Sequence, residues 1–198
     1  MNSDAIIIGC CGSNWASLKF ALQRLDFDLP ISNDPERVRR ASHVLLPGVG
    51  AAQDAMSRLQ DTDLAALVPT LAQPVLGICL GMQLLFTRSE EDATQCLGII
   101  PGHVMRLAPR GDLPVPEMGW NQLSLRGTSP LLRDVPTGGY AYFVHSYAAP
   151  TGNYTRASSD YGGDFTAVAE QDNFFGTQFH PERSAALGAT ILANFLAL

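Results

Sequence analysis

Short apolar runs alternate with amphipathic segments in the first half of the chain. The runs at residues 5–9, 44–46 and 75–78 contain no charged side chain. Between them, apolar residues recur every three or four positions, the spacing of a helix with one buried face. Wholly apolar strands separated by helices are typical of a parallel sheet covered on both faces. The helical positions are Leu18, Ala21, Leu22 and Leu25 after a cap at Ser13 or Asn14, then Ala52, Met56 and Leu59.

The pattern changes in the second half, where short β-like runs at 97–100, 104–107, 140–144 and 165–170 are separated by glycine and proline. Such runs predict antiparallel strands and hairpins. A closing helix is predicted over 184–196. We therefore expect an α/β fold with a single domain over residues 1–198: three layers, a mostly parallel, doubly wound central sheet flanked by helices, and an antiparallel β extension. Functional sites in such folds gather at the carboxyl ends of the strands.

Composition excludes several classes of function. The 198-residue chain has a formal net charge of −6, so it lacks the basic character that nucleic-acid binding requires. It contains no apolar run of about 18 residues, the length of a membrane span, and its first residues do not resemble a secretory signal. We expect a cytoplasmic protein that binds neither nucleic acid nor membrane.

The four cysteines do not have the spacing of a disulfide framework or a zinc site. Cys10 and Cys11 are adjacent, and Cys96 stands alone. We expect these three to be small buried or half-buried side chains and expect no metal and no cofactor. The fourth, Cys79, has a different setting.

Cys79 directly follows the apolar run 75–78 and directly precedes a predicted helix over 80–86, with Gly77 and Gly81 on either side. This is the pattern of a nucleophile elbow, in which a sharp turn lifts the reactive atom to the top of a sheet. The following helix would favour a thiolate, and nearby backbone N–H groups would hold an oxyanion. A buried cysteine at a strand–helix packing site fits this segment equally well.

His180 ends a second apolar segment, 174–179, and is followed by Pro181 and Glu182. A proline favours extended backbone at the residue before it, and residues two apart in an extended chain face the same side. Glu182 would then orient the ring of His180, as the third member of a catalytic triad does. Taken alone, the segment fits a surface turn with a capping glutamate better. Together with an elbow cysteine, it favours catalysis.

A third strand end carries Pro47, Gly48, Val49 and Gly50. Glycines here allow backbone N–H groups to approach a substrate closely, although a plain strand–helix turn would look the same. The segment is not a phosphate loop, because the lysine and hydroxyl residue of that motif are absent. His43, His103 and His145 have no carboxylate or cysteine at ligand-like spacing.

These three segments resemble the signatures of class I, triad-type glutamine amidotransferases, in the same order and at similar separations. Further segments, 118–121, 142–147 and 178–184, resemble the glutaminase subunits of imidazole glycerol phosphate synthases. The resemblance covers residues 6–195. It implies that Cys79 attacks the carboxamide of L-glutamine and forms a thioester, that His180 transfers the proton to ammonia, and that Glu182 orients His180.

The resemblance also implies a substrate site and a partner. Ammonia would pass through a (β/α)₈-barrel cyclase subunit, which makes imidazole glycerol phosphate and aminoimidazole carboxamide ribotide in histidine biosynthesis. In this family the glutaminase is typically almost silent until the partner holds its ligand. The implied oxyanion and substrate positions are Gly48, Val49, Gly50, Leu80, Gln83 and Ser146, and the implied partner-facing positions are Asn14, Met118, Trp120 and Asn121.

Two positions depart from the family pattern. The loop around Asn14 is less glycine-rich than usual, and Glu117 stands where histidine is usual. We interpret Glu117 as a charge reversal near the docking face, and hypothesise a compensating change in the partner.

Three other functions fit parts of the sequence. The chain would also suit a glutaminase subunit of a different ammonia-using synthase, or a non-catalytic regulatory subunit of the same fold. The intact triad argues against the second. A papain-like hydrolase shares the triad logic but not the loop at Gly48–Gly50.

Overall fold

The computed structural model describes residues 4–11, 15–108 and 111–198. Twelve strands lie in that part of the chain, most of them in its second half. They are β1 (Ile6–Ile7), β2 (Val44–Gly48), β3 (Val75–Cys79), β4 (Phe86–Ser89), β5 (Ile100–Arg106), β6 (Glu117–Gln122), β7 (Ser124–Leu125), β8 (Tyr140–His145), β9 (Tyr147–Ala148), β10 (Thr155–Asp160), β11 (Asp164–Gln171) and β12 (Phe174–Thr177).

Six α-helices lie in the same described ranges, five of them in the first half of the chain. The predicted cap residues of the first helix, Ser13 and Asn14, lie outside the described residues. The helices are α1 (Trp15–Gln23), α2 (Pro35–Arg40), α3 (Ala52–Asp61), α4 (Leu64–Leu67), α5 (Leu80–Gln83) and α6 (Ala185–Leu196).

A seven-stranded mixed sheet forms the centre, in the order β1-β2-β3-β12-β11-β10-β7. Its first four strands are parallel, and the last three continue it antiparallel. The antiparallel pair β6–β8 and the small sheet β4-β5-β9 lie outside it. The predicted α/β class is therefore confirmed, with a parallel core and an antiparallel extension.

The parallel strands bury side chains on both faces, which explains why their sequences are wholly apolar. Successive residues of a strand point to opposite sides. Val44 and Leu46 accordingly pack with α3 and α4 in one apolar cluster. Leu45 packs with α1 and α6 in the other. The sheet is thus the middle of three layers.

Some predicted boundaries were wrong. The helix expected over residues 80–86 ends at Gln83, and Phe86 instead begins β4. The strand expected at 97–100 begins at Ile100 and continues to Arg106. As expected, Cys10 and Cys11 are buried and Cys96 is half-buried.

The carboxyl ends of β2, β3 and β12 lie side by side. Gly48 is the register partner of Cys79 across β2 and β3, and Thr177 at the end of β12 is opposite Ile78. The three segments singled out in the sequence therefore leave the sheet at adjacent points on one edge.

Candidate active site

Cys79 lies at the junction of β3 and α5. Its backbone has φ 53° and ψ −111°, a region that residues with a side chain rarely adopt and that is found where function requires it. The predicted sharp turn is present. The residue is 7% exposed, so most of it is shielded from solvent.

His180 and Glu182 are in direct contact. Nδ1 of the ring lies 2.8 Å from Glu182 Oε1, and the two side chains are 7% and 2% exposed. His180 itself is extended, as expected before a proline. The expectation that Glu182 continues an extended segment is wrong, because Pro181–Arg183 forms a 3₁₀ turn. Glu182 reaches the ring from within that turn.

The backbone around His180 is held by strand β8. His180 N–H donates to the Tyr142 carbonyl at 3.0 Å. Ser184 Oγ donates to the His180 carbonyl at 2.7 Å and accepts from the Tyr142 N–H at 3.0 Å. Ser184 thus links β8 to the backbone of His180, just beyond the end of β12.

The surroundings of His180 favour its protonated form. Burial alone would lower the pKa of His180, but hydrogen bonds and charge interactions with Cys79 and Glu182 outweigh it and raise the pKa to about 10. The ring therefore supplies the sulfur with a cationic partner at neutral pH, the arrangement expected of a cysteine–histidine nucleophile pair.

This charge gives a testable pH dependence. Because the pKa of His180 in the fold exceeds its ordinary 6.5, protonation stabilises the fold fully below pH 6.5, and the contribution is lost as pH rises through about 10. Glu182→Gln removes one of the raising interactions, so we expect a lower titration midpoint for the His180 ring by NMR. His43, at the amino end of β2, is the internal control. An unchanged His180 midpoint in the variant would contradict the assigned pairing.

A cavity of about 300 Å³ opens beside Cys79. Of the six positions expected to hold substrate or oxyanion, five line it and Gly48 does not. Gly48 packs against Leu80 and Gly81 instead. The residues that line the cavity are Val49, Gly50, Cys79, Leu80, Gln83, Glu91, Pro116, Val144, His145, Ser146, Tyr147 and His180.

The backbone N–H of Val49 is occupied. It donates to the Cys11 carbonyl at 3.0 Å, so in this conformation it is not offered to an oxyanion. Gly50 follows with φ 97°, a left-handed conformation that suits glycine. Leu80, the other predicted oxyanion position, is the first residue of α5, where backbone N–H groups have no acceptor within the helix.

Sequence reasoning missed Gln178. This fully buried side chain donates from Nε2 toward Cys79 Sγ at 3.8 Å and accepts from Gln83 Nε2 at 3.0 Å. Gln83 Nε2 also donates to the Tyr147 carbonyl at 2.8 Å. The amide nitrogen of Gln83 is thus committed to internal bonds. Gln178 lies in the segment 178–184 that carries part of the family resemblance, but nothing in its spacing indicates that it turns toward the sulfur.

Glu117 and His145 form a buried pair, which corrects two expectations. Their side chains are 3% and 2% exposed, and Glu117 Oε2 lies 3.2 Å from His145 Nε2. Glu117 is therefore buried and is not a charge on the predicted docking face. His145 has a carboxylate partner after all, 28 positions earlier in the chain. Glu117 is paired with His145 of the same chain. The hypothesis of a compensating change in the partner therefore loses its basis.

The predicted partner-facing positions are spread over different environments. Met118 and Trp120 are 65% and 52% exposed on β6. Asn121 is half-buried, and its amide donates to Glu117 Oε1 at 2.9 Å and to the Asp160 carbonyl at 2.8 Å. Asn14 lies outside the described residues. Among the described members of this group, the exposed side chains are those of Met118 and Trp120.

The described ranges show neither a metal cluster nor a membrane-spanning helix. They contain no group of three or more His, Cys, Asp or Glu arranged to hold a metal ion. No helix in them has the length and apolar character needed to cross a membrane.

Known proteins similar to this chain share its fold and its length. The family model for glutamine amidotransferase class-I matches residues 12–198. Imidazole glycerol phosphate synthase subunit HisH of Vibrio parahaemolyticus is 48% identical over 207 residues, covering 100% of both chains. Subunit HisH 2 of Legionella pneumophila is 48% identical over 192 residues, covering 97% of this chain and 96% of its own. PurLQS from Thermotoga maritima superposes with a TM-score of 0.76 at 17% identity, covering 100% and 99%. That structural likeness concerns the fold alone.

Proposed function

The chain belongs to the class I glutamine amidotransferases, among the HisH subunits of imidazole glycerol phosphate synthase, and from that premise we propose that Cys79, His180 and Glu182 hydrolyse glutamine. The observation that carries this assignment is the contact chain from the cavity-lining sulfur through His180 to Glu182 at the end of three parallel strands. No other described cysteine lines that cavity.

The proposed reaction begins with attack of Cys79 Sγ on the carboxamide carbon of glutamine. The tetrahedral intermediate collapses when His180 gives its proton to the departing nitrogen. Ammonia leaves and a glutamyl thioester remains. Water then attacks the thioester carbon while His180 accepts one of its protons. The C–S bond breaks, glutamate leaves, and Cys79 and the protonated His180 return to their starting state.

The pKa of His180 changes usefully along this path. Once the sulfur is bonded to carbon it carries no charge, so the part of the elevated pKa that arises from Cys79 disappears. The ring becomes a stronger acid when it must protonate the leaving nitrogen. It then has a pKa closer to neutral when it must activate water.

The oxyanion site requires a rearrangement, because the Val49 N–H is bound to the Cys11 carbonyl. We infer a two-state element at Gly48–Gly50, which releases this N–H toward the substrate in the active state. A partner that binds the active state better shifts the population toward it. This accounts for the low activity expected of the chain alone.

We infer that the partner is a cytoplasmic (β/α)₈-barrel cyclase, that it docks on Met118 and Trp120, and that it receives ammonia to make imidazole glycerol phosphate. Large exposed apolar side chains side by side on one strand are typical of such a surface.

The experiment is glutamate release from glutamine by the chain alone and with the barrel cyclase plus its nucleotide ligand. We expect about 100-fold stimulation by the liganded cyclase, within the range of allosteric coupling. Trp120→Ala should weaken the affinity for the cyclase by about 30-fold, as for an interface hot spot. Leu198→Ala removes another exposed apolar side chain and should change nothing.

The outcomes separate the alternatives. Glutaminase activity that does not change when the cyclase is added would support the assignment of glutamine hydrolysis and indicate a different ammonia-using synthase as the partner. Absence of activity under every condition would favour a non-catalytic regulatory subunit.

A further inference from the structure

The pair formed by Glu117 and His145 is closed off from water. The two residues face each other as register partners across β6 and β8. The ring of His145 is flanked by Phe143 and Phe165, with ring centroids 5.7 and 5.0 Å away. In such surroundings a polar group that loses its partner is costly, because no solvent replaces the contact.

Each member of the pair is anchored at its far end. His145 Nδ1 lies 2.9 Å from the Tyr147 carbonyl oxygen, which only accepts, so Nδ1 carries the proton. Glu117 Oε1 accepts from Asn121 Nδ2 at 2.9 Å. The facing atoms, Glu117 Oε2 and His145 Nε2, lie 3.2 Å apart. Neither has a hydrogen-bond partner among the described residues, so the charge contact between them is the polar contact that each atom makes.

The contacts continue from the pair to the nucleophile. The Tyr147 carbonyl that receives His145 Nδ1–H also receives Gln83 Nε2–H. Gln83 donates in turn to Gln178, and Gln178 donates to Cys79 Sγ. One connected set of polar contacts thus runs from β6 to the sulfur.

The same pair supports a wall of the cavity. Residues 144–147 all line it, and the Val144 carbonyl oxygen lies 3.8 Å from Cys79 Sγ. Their position depends on His145, whose ring is fixed from one side by the Tyr147 carbonyl and from the other by Glu117. On the opposite side of β6, Met118 and Trp120 face outward.

We propose that Glu117 is a positioning residue for glutamine, which acts through His145 to hold the segment 144–147 in place against the substrate. The inference rests on the proposed function, because it takes the cavity to be the glutamine site. Glu117 does not line the catalytic cavity and does not touch Cys79. Its effect is on substrate affinity rather than on the chemistry at the sulfur.

The test compares two alkylating reagents on wild type, Glu117→Ala and Glu117→Gln. A chloromethyl ketone analogue of glutamine needs the shaped cavity to reach Cys79, and its displacement of chloride needs no oxyanion donor. Iodoacetamide needs only an accessible sulfur. Mass spectrometry gives the rate of Cys79 modification as a function of reagent concentration, and thermal unfolding verifies that each variant is folded.

We expect Glu117→Ala to raise the chloroketone concentration for half-maximal rate about tenfold, as for a misplaced wall of a site, with the limiting rate and the iodoacetamide rate within about twofold. Glu117→Gln should recover most of the affinity, because its oxygen still accepts from Asn121 and its amide donates to His145 Nε2. Glu170→Ala is the matched control. That carboxylate, 18% exposed, pairs with Arg156 at 3.7 Å on another strand pair.

Several results would overturn the proposal. One is an unchanged chloroketone concentration for half-maximal rate in Glu117→Ala. Another is an equal decrease of the modification rate of Cys79 with both reagents. The third is the same rise of the half-maximal chloroketone concentration in Glu170→Ala. Wild-type Cys79 that shows no saturation with the glutamine analogue would instead contradict the proposed function itself.

Discussion

Cys79→Ala is expected to lower glutamate release by about 10⁴-fold or more, the scale of losing a catalytic nucleophile. The remaining cavity binds glutamine but has no atom to form the thioester. The measurement is glutamate release by the complex with its cyclase. The same complex should still form product when ammonium salt replaces glutamine, because the cyclase then receives ammonia from solution.

Cys96→Ala provides the control for general thiol loss. Cys96 is half-buried and does not line the catalytic cavity, so its replacement should leave glutamate release within about twofold. Hydrolysis by Cys79→Ala at even one hundredth of the wild-type rate would exclude the thioester mechanism. Loss of the ammonium-dependent reaction would show that the substitution had disturbed the complex rather than the chemistry.

Gly81→Ala is expected to destabilise the fold by at least about 4 kcal/mol, in the exceptional range for a single substitution. A Cβ at this position collides with the carbonyl oxygen of Leu46, which is backbone of β2 and not a flexible side-chain end. The first turn of α5 crosses β2 at this point. Either the elbow or the central sheet must shift. Denaturant unfolding of the chain measures the loss.

Gly163→Ala is the matched substitution. A Cβ there has no atom within 4 Å, so its free energy of unfolding should stay within about 0.5 kcal/mol of wild type. A Gly81→Ala variant with the wild-type midpoint would show that α5 can move away from β2 without cost, and that the close crossing is not needed for the elbow.

The central strands and the elbow could be predicted because their determinants are local. The run 75–78 is buried on both faces, and such a strand needs no partner information to be recognised. The length of α5 could not be predicted from local sequence. Leu84, Leu85 and Phe86 are all fully buried, so the helical period is hidden. Where the helix ends depends on the pairing of Phe86 with Ile100.

Strand β6 was missed because its pattern is inverted. Glu117 and Asn121 point inward, while Met118 and Trp120 point outward. From sequence alone, such alternation predicts that the apolar side chains are buried and the polar ones exposed. The opposite holds here, because the inward polar groups have polar partners that are distant in the sequence. The partner of Glu117 is His145, and no local rule joins them. The role of Gln178 was hidden for the same reason.

The contact between His180 and Glu182, by contrast, was predicted from one short segment, although the backbone geometry behind it differed. His180 and Glu182 meet because a 3₁₀ turn brings them together, whereas sequence reasoning placed them on one extended strand. The predicted contact between the two side chains is confirmed, and the predicted backbone conformation is wrong. Residue spacing of two is compatible with both conformations, so spacing alone does not distinguish them.

The position of β12 in the sheet has a consequence for synthesis. This strand is nearly the last to be made, yet it pairs with β3 in the middle of the sheet. Gln178, just beyond it, is 99 positions from Cys79. At about 5–20 residues per second, the nascent chain carries its cysteine for roughly 5–20 s before that segment emerges from the ribosome. During this interval one edge of β3 lacks its neighbour, so the polypeptide is exposed to mispairing and is a candidate for chaperone binding.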